Sequence, residues 1–285
     1  NRFLQHSYGI VHWEGIDEVE QENPGTRYVV EHESDPVQRV KALHDYVADR
    51  VAYDVPALRT RNFPPQDAQA VFERRTAVCA GSAALLAELG RAAGLEIIVV
   101  VGDARDSNGL FDGTGHAWNA FNLAGRWYLA DPTWDAGYVE GDSFFKKYES
   151  SYFMTPPEVF ATTHMPEDPK WQLLATPLSQ GDFIRQPHMK PTFAALGLRL
   201  LEPARAQISA QVGETVTLRF DNPHGFAVLG NVRAQDDASS TTVGFCDNEA
   251  DPTTMSCTMP AAGRQQVVLF GPDGDHLGQI YVDVG

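Results

Sequence analysis

"GHAWNAFNLAGRWYLADPTW", Gly115 to Trp134, decides how the chain is read. Apolar and aromatic residues flank Ala124-Gly125 on both sides, so the stretch reads as a β-hairpin with a two-residue turn at that pair. The turn puts Leu123 opposite Arg126 and Trp118 opposite Asp131. His116, two residues from Trp118, then shares a face with Asp131 and lies diagonally across from it. A slip of two would bring His116 and Asp131 directly opposite. In either register a carboxylate holds an imidazole by one nitrogen and leaves the other for a second group. Two readings stand: a surface hairpin with an ordinary His and Asp, or the base and orienter of a nucleophilic site.

A candidate nucleophile lies upstream in "RRTAVCAGSAALLAELGRAAGL", Arg74 to Leu95. Leu85, Leu86, Leu89 and Ala93 mark the buried face of a helix that stops at Gly94 and begins near Cys79. Unpaired N–H groups and the positive end of the helix dipole stabilise a thiolate there, and the same groups can receive an oxyanion. Ala80, Gly81 and Ser82 are small enough to let a carbonyl approach. On this segment alone, the reading of Cys79 as a small hydrophobe in a core helix is the better one, since free Cys is commonly buried.

Around these pieces the pattern is mixed. "YGIVHW" and "RYVVEH" are strand-like runs before Val30 or so. "SDPVQRVKALHDYVADRVAYD" reads as a helix capped by Ser34 or Asp35, with Pro36 in its first turn and an apolar stripe of Val37, Val40, Leu43, Val47 and Val51. "VPALRTRNFPPQ" reads as a Pro-rich loop, "DAQAVFERR" as a short helix started by Asp67, and "LEIIVVVGDAR" as a buried strand. From Tyr138 to Met189 the pattern reads as loops and short helices. After that come eight short strand-like runs separated by Gly, Pro, Asn and Asp, the signature of a β-sandwich. The expectation is therefore an α+β domain over residues 1–189 and an immunoglobulin-like all-β sandwich over residues 190–285.

Hydrophobic residues make up 43% of the chain and charged residues 21%, an ordinary globular balance. Acidic residues outnumber basic ones 38 to 22, for a net charge of -16, which argues against nucleic acid or an anionic membrane as partner. No apolar run approaches the roughly 18 residues of a membrane-spanning helix. The 3 cysteines divide into a neighbouring pair, Cys246 and Cys257, and a lone Cys79. That division favours one disulfide and one free thiol, with two buried thiols as the alternative. The pair, and a first residue that is Asn1 rather than Met, point to a secreted or periplasmic protein whose signal peptide has been removed.

"AVCAGSAALLAELGRAAGL", "GHAWNAF" and "WYLADPTWD", in that order, resemble the transglutaminase-like superfamily of papain-type thiol enzymes, closest to its bacterial and kyphoscoliosis-peptidase-like branch. "VAYD", Val51 to Asp54, fits the same pattern, and the resemblance covers Ser34 to Trp171. It implies a papain/transglutaminase-like catalytic domain, with Cys79 as nucleophile, His116 as general base and acid, and Asp131 as orienter. Many bacterial members carry "GYA" where this chain has "GSA", so an aromatic gives way to Ser82, a departure from the family pattern that bears on substrate preference and not on the triad.

The reaction implied is acyl transfer from a protein or peptide amide through a thioester. Water as acceptor gives a peptidase, amidase or deamidase; a lysine amine gives a cross-linking transglutaminase. Hydrolysis is expected, because water is the default acceptor unless a site excludes it. A non-catalytic adhesion or scaffold module is the reading from another class. No cofactor is expected, and no metal-ligand spacing such as CxxC or HExxH is present. "GPDGDHLG" reads as a hairpin turn rather than a calcium loop. Trp118, Trp127 and Trp134 line a groove or fill the core, and Gln66 is a weak candidate for an oxyanion donor.

Overall fold

The computed structural model describes residues 33–105, 109, 111, 113–235, 240–247 and 251–285. The strand-like runs expected before Val30 lie outside the described residues. The described chain forms two compact units. The first takes in 33–104, 113–160 and 166–177; the second takes in 161–165 and 178–285, with residues 105, 109 and 111.

The first unit is built on two helices and an antiparallel sheet. In α1 (Pro36–Arg50) the Asp35 side chain accepts the Val37 N–H at 2.8 Å, and Pro36 occupies the first turn. Val40, Leu43 and Val47 of α1 are buried with Leu85, Leu86 and Leu89 of α4 (Cys79–Ala92). Full burial of a leucine such as Leu43 or Leu86 contributes on the order of 2 kcal/mol. The apolar stripe is as expected, but α1 also buries Lys41, His44 and Asp45, which the pattern left on a polar face.

"VPALRTRNFPPQ" is not wholly a loop. After the two-residue strand β1 (Ala52–Tyr53), the six-residue helix α2 (Val55–Thr60) forms, because the Asp54 side chain caps it through the Ala57 N–H at 2.9 Å. The remainder loops to Asp67, which caps α3 (Ala68–Arg74) through the Ala70 N–H at 3.1 Å. Strand β2 (Thr76–Ala77) then pairs in parallel with β1, Tyr53 against Ala77, and feeds directly into α4. Gly94, with φ +71°, ends that helical segment, a conformation glycine adopts without strain.

Strands β3 (Glu96–Ala104), β4 (Gly115–Leu123) and β5 (Arg126–Ala130) are antiparallel, in the order β5-β4-β3. The hairpin register runs from Leu123 opposite Arg126 to Asn119 opposite Ala130, so the unslipped alignment is the one adopted. Both turn residues are left-handed, Ala124 at φ 52° and Gly125 at φ 84°, which suits the twist of the flanking strands. Beyond the sheet, a hairpin of β6 (Gly137–Glu140) and β7 (Ser143–Lys146) stands where only loops and short helices were expected, turning at Gly141 with φ 58°.

All eight expected strand runs of the C-terminal region are strands, joined by a two-residue strand before them. In chain order they are β8 (His188–Met189), β9 (Arg199–Glu202), β10 (Gln207–Ala210), β11 (Thr215–Asp221), β12 (Leu229–Gln235), β13 (Ser240–Phe245), β14 (Thr254–Thr258), β15 (Gly263–Phe270) and β16 (His276–Val284). One sheet runs β9-β11-β14; the other runs β10-β16-β15-β12-β13, with β8 on β16. Leu218, Phe220 and Met255 from the first pack with Val232, Val267, Leu269 and Ile280 from the second, which makes a sandwich core. Cys246, just past β13, is bonded to Cys257 on β14, so the disulfide ties the two sheets together. "GPDGDHLG" spans the turn between β15 and β16, closed by the Gly271 N–H on the Asp275 carbonyl at 2.8 Å. Among the described residues no helix is long and apolar enough to cross a membrane.

Candidate active site

Cys79 is the first residue of α4; its thiol is not in a disulfide and the residue is partly exposed. The helix start has no side-chain cap; instead the Gln66 carbonyl oxygen accepts the Val78 N–H at 3.1 Å. The Gln66 amide nitrogen is engaged with the Pro64 carbonyl at 2.9 Å, so Gln66 ties the loop to the helix start and its donor is not aimed at an oxyanion. The Gly81 and Ser82 N–H groups fold back on the Val78 carbonyl, at 3.0 and 3.2 Å. That leaves the N–H groups of Cys79 and Ala80 without intrahelical partners, as at any helix start. Gly81 and Ser82 are buried, so of the three small residues after the thiol only Ala80 is exposed.

The hairpin brings the second group. His116 Nε2 lies 2.7 Å from Asp131 Oδ2, and both side chains are almost wholly removed from solvent. Asp131 Oδ1 accepts the N–H groups of Thr133 and Trp134 at 2.9 and 3.2 Å. That is why the segment reads "DPTW": the carboxylate closes its own turn with one oxygen and holds the imidazole with the other. Its main-chain N–H donates to the Tyr152 carbonyl at 3.0 Å. The imidazole lies beside Trp118 and Trp134, with ring centroids at 5.9 and 5.4 Å. Trp118 is a core residue, Trp134 is half-buried beside His116, and Trp127 packs edge-on against Trp171.

The three chemical groups perturb one another. Burial pushes the Cys79 thiol up, but a hydrogen bond and positive charge from His116, with the Ala117 N–H, outweigh it and hold the thiol below its ordinary value. Burial likewise disfavours a charged His116, yet Asp131 and the thiolate together lift it to about 10. The two directions run the same way: His116 favours the thiolate, and the thiolate and Asp131 favour the imidazolium. Tyr53 stands close enough to feel this charge: burial, then the negative charges of Cys79, Asp131 and Asp54, raise its hydroxyl, which therefore stays protonated.

Sequence reasoning missed a second buried constellation. His44 of α1 has Nδ1 3.1 Å from Asp45 Oδ1 and Nε2 3.2 Å from Asp135 Oδ2, the latter an ion-pair distance without hydrogen-bond alignment. The available signals were Asp135 four residues beyond Asp131 and a histidine one place past Leu43 on an apolar helix.

Residues 25–132 match the transglutaminase-like superfamily. Kyphoscoliosis peptidase of Mus musculus is 30% identical over 233 residues, covering 77% of this chain and 34% of that protein. The Homo sapiens protein of the same name is 30% identical over the same length and shares. Hillarin of Drosophila melanogaster is 24% identical over 180 residues, 58% of this chain and 21% of its own. The chain thus spans 34% of the length of the two peptidases it matches.

Proposed function

We propose a thiol acyl-transfer function from one premise: the chain belongs to the transglutaminase-like superfamily. The observation that carries the reading is the 2.7 Å His116–Asp131 contact beside a thiol that His116 holds below its ordinary pKa. Cys79 is the nucleophile, His116 the acid and base, and Asp131 the orienter.

The Cys79 thiolate attacks the carbonyl carbon of a protein or peptide amide, forming the S–C bond and an oxyanion. The N–H groups of Cys79 and Ala80 at the helix start receive that oxyanion. As the C–N bond breaks, the His116 imidazolium gives its proton to the departing amine, which leaves a thioester and a neutral imidazole. Water then attacks the thioester while His116 takes its proton; the C–S bond breaks, the acid is released, and the ion pair is restored. Asp131 stays ionised throughout and fixes the ring so that the nitrogen it does not hold faces the sulfur.

Water is the acceptor in this reading, because Cys79 is a partly exposed residue and the two relatives at 30% identity are named peptidases. The disulfide in the second unit supports an oxidising, secreted or periplasmic location. Incubating the protein with a panel of proteins and a labelled amine, followed by mass spectrometry, tests the assignment. Backbone cleavage or conversion of Gln to Glu is expected, and it disappears in Cys79→Ala. Amine incorporation or lysine isopeptides as the main product would move the acceptor from water to an amine. Turnover that survives Cys79→Ala would remove the thiol mechanism.

A further inference from the structure

Four charged side chains are buried together behind the turn that follows β5 and begins at Asp131. Lys41, His44 and Asp45 of α1 and Asp135 of the turn are each at most 2% exposed. Lys41 contacts both oxygens of Asp45 and the Tyr148 hydroxyl, and that hydroxyl donates to Asp45 Oδ1 at 2.6 Å. His44 sits between Asp45 and Asp135, with the Phe153 ring 5.1 Å away. The charges alternate in sign along this line. Burying such a set is costly, and well-packed apolar residues would serve stability as well or better. A positional role explains their presence better than a stabilising one.

The connections to Asp131 define that role. The Asp135 carboxylate accepts the Tyr152 N–H at 3.0 and 3.2 Å. The Tyr152 carbonyl accepts the Asp131 N–H at 3.0 Å, and the Asp135 N–H donates to the Asp131 carbonyl at 3.2 Å. Asp131 is thus tied on both sides of its main chain to Asp135 or to a residue Asp135 holds. We propose that His44 and Asp135 form a buried positioning dyad that keeps the Asp131 turn, and through it His116, aligned on Cys79. This rests on the thiol reading above.

His44 supplies the countercharge that the arrangement needs. Asp131 and Asp135 are both fully buried and repel each other, and burial already pushes the Asp135 carboxyl up to about 6. Burial opposes charge on His44 as well, but Asp135 and Asp45 outweigh it and lift the ring to about 9, so it is an imidazolium at neutral pH. Without that cation Asp135 takes a proton at higher pH. The charged acceptor of the Tyr152 N–H is then lost, and the hold on Asp131 weakens. The other ionisable groups facing the dyad are Lys41, Asp45, Asp131 and the Tyr148 hydroxyl, which stays protonated.

Alkylation of Cys79 by iodoacetamide across pH reads the alignment without any substrate. The wild type should show a reactive thiolate with an acidic inflexion near the Asp135 value of about 6. His44→Gln should move that inflexion up by about one unit, the scale of losing one neighbouring charge. Asp135→Asn should remove it and leave a thiol that, above about pH 6, reacts as slowly as the wild type does below it. The double variant should be no worse than Asp135→Asn alone, because His44 acts through Asp135. Variants that alkylate like wild type at every pH, or whose effects simply add, would overturn the proposal while leaving the thiol reading standing. A wild-type thiol with ordinary titration takes away both. Should the variants not fold, histidine-labelled NMR of the wild type decides. His44 should be an imidazolium at pH 7, and the His116 signal should respond near pH 6; a neutral His44 or an unresponsive His116 overturns the dyad.

Discussion

Cys79 and His116 matter together because each makes the other's charged form the stable one. The thiol is held below its ordinary value and His116 rises to about 10, so the ion pair spans the interval between them. Activity by the proposed mechanism should therefore fall on the alkaline side only as pH rises through about 10, where the imidazolium that protonates the leaving amine is lost. Asp131→Asn removes the charge that lifts His116. Its pH–rate profile should lose the alkaline plateau and decline toward the ordinary imidazole value of about 6.5; an unchanged profile would mean that Asp131 does not support the ring. His116→Ala should return Cys79 toward a free thiol of about 8.5, read by thiolate absorbance against pH. The helix start at Cys79 and the hairpin register that sets His116 near Asp131 were legible, because local rules operate there. Lys41, His44 and Asp45 were not. "KALHD" reads as a solvated face, with Lys and Asp at i,i+4 spacing, and only the tertiary placement of Asp135 and Tyr148 turns that face inward.

At the scale of elements, the thiol's position depends on how closely α4 approaches its neighbours. A Cβ on Gly81 would meet Gln66 Oε1 at 2.5 Å and the side chains of Ala77 and Val71 at 2.8 Å each. Gly81→Ala should force the first turn of α4 away from β2, destabilising the first unit by about 1–3 kcal/mol and slowing Cys79 alkylation. Urea unfolding and the alkylation rate measure both, and a variant neutral in each would show that the turn moves freely. Asn119 links helix to sheet from within "HAWN": its amide nitrogen donates to the Ala83 carbonyl of α4 at 2.9 Å and to the Ile98 carbonyl of β3 at 3.1 Å. Asn119→Ala strands those buried partners and should cost about 1–3 kcal/mol in the same unfolding experiment. The long elements were readable from apolar spacing. Helix α2 and the β6–β7 hairpin were not, since six- and four-residue segments carry too little period. A single cap, Asp54, decides the helix, and one turn at Gly141-Asp142 decides the hairpin.

Across the whole molecule, the abrupt change to short strands was legible, but the order of the strands was not. Turn residues mark where a strand stops, whereas pairing such as the parallel contact of β10 with β16 joins residues more than 70 positions apart on the strength of the assembled core. The cysteine pair is where sequence and topology meet, because a separation of 11 residues spans the two sheets of the sandwich. A loop of that length should stabilise the second unit by about 3 kcal/mol, through the restriction it places on the unfolded chain. Alkylation without reductant should label one thiol per chain, Cys79, by intact mass. With reductant, three are labelled once the protein is unfolded. Amide hydrogen exchange then separates the units: reduction should lower protection in β11, β14 and β15 of the sandwich and leave α4 and β4 as they were. The tie between Cys246 and Cys257 lies wholly within the second unit, whereas the lone thiol lies in the first. A reducing agent should therefore soften the sandwich while preserving Cys79 reactivity. Equal loss of protection at α4 would mean that the bridge supports the thiol's own unit, and unchanged protection in both would mean that the sandwich core alone suffices.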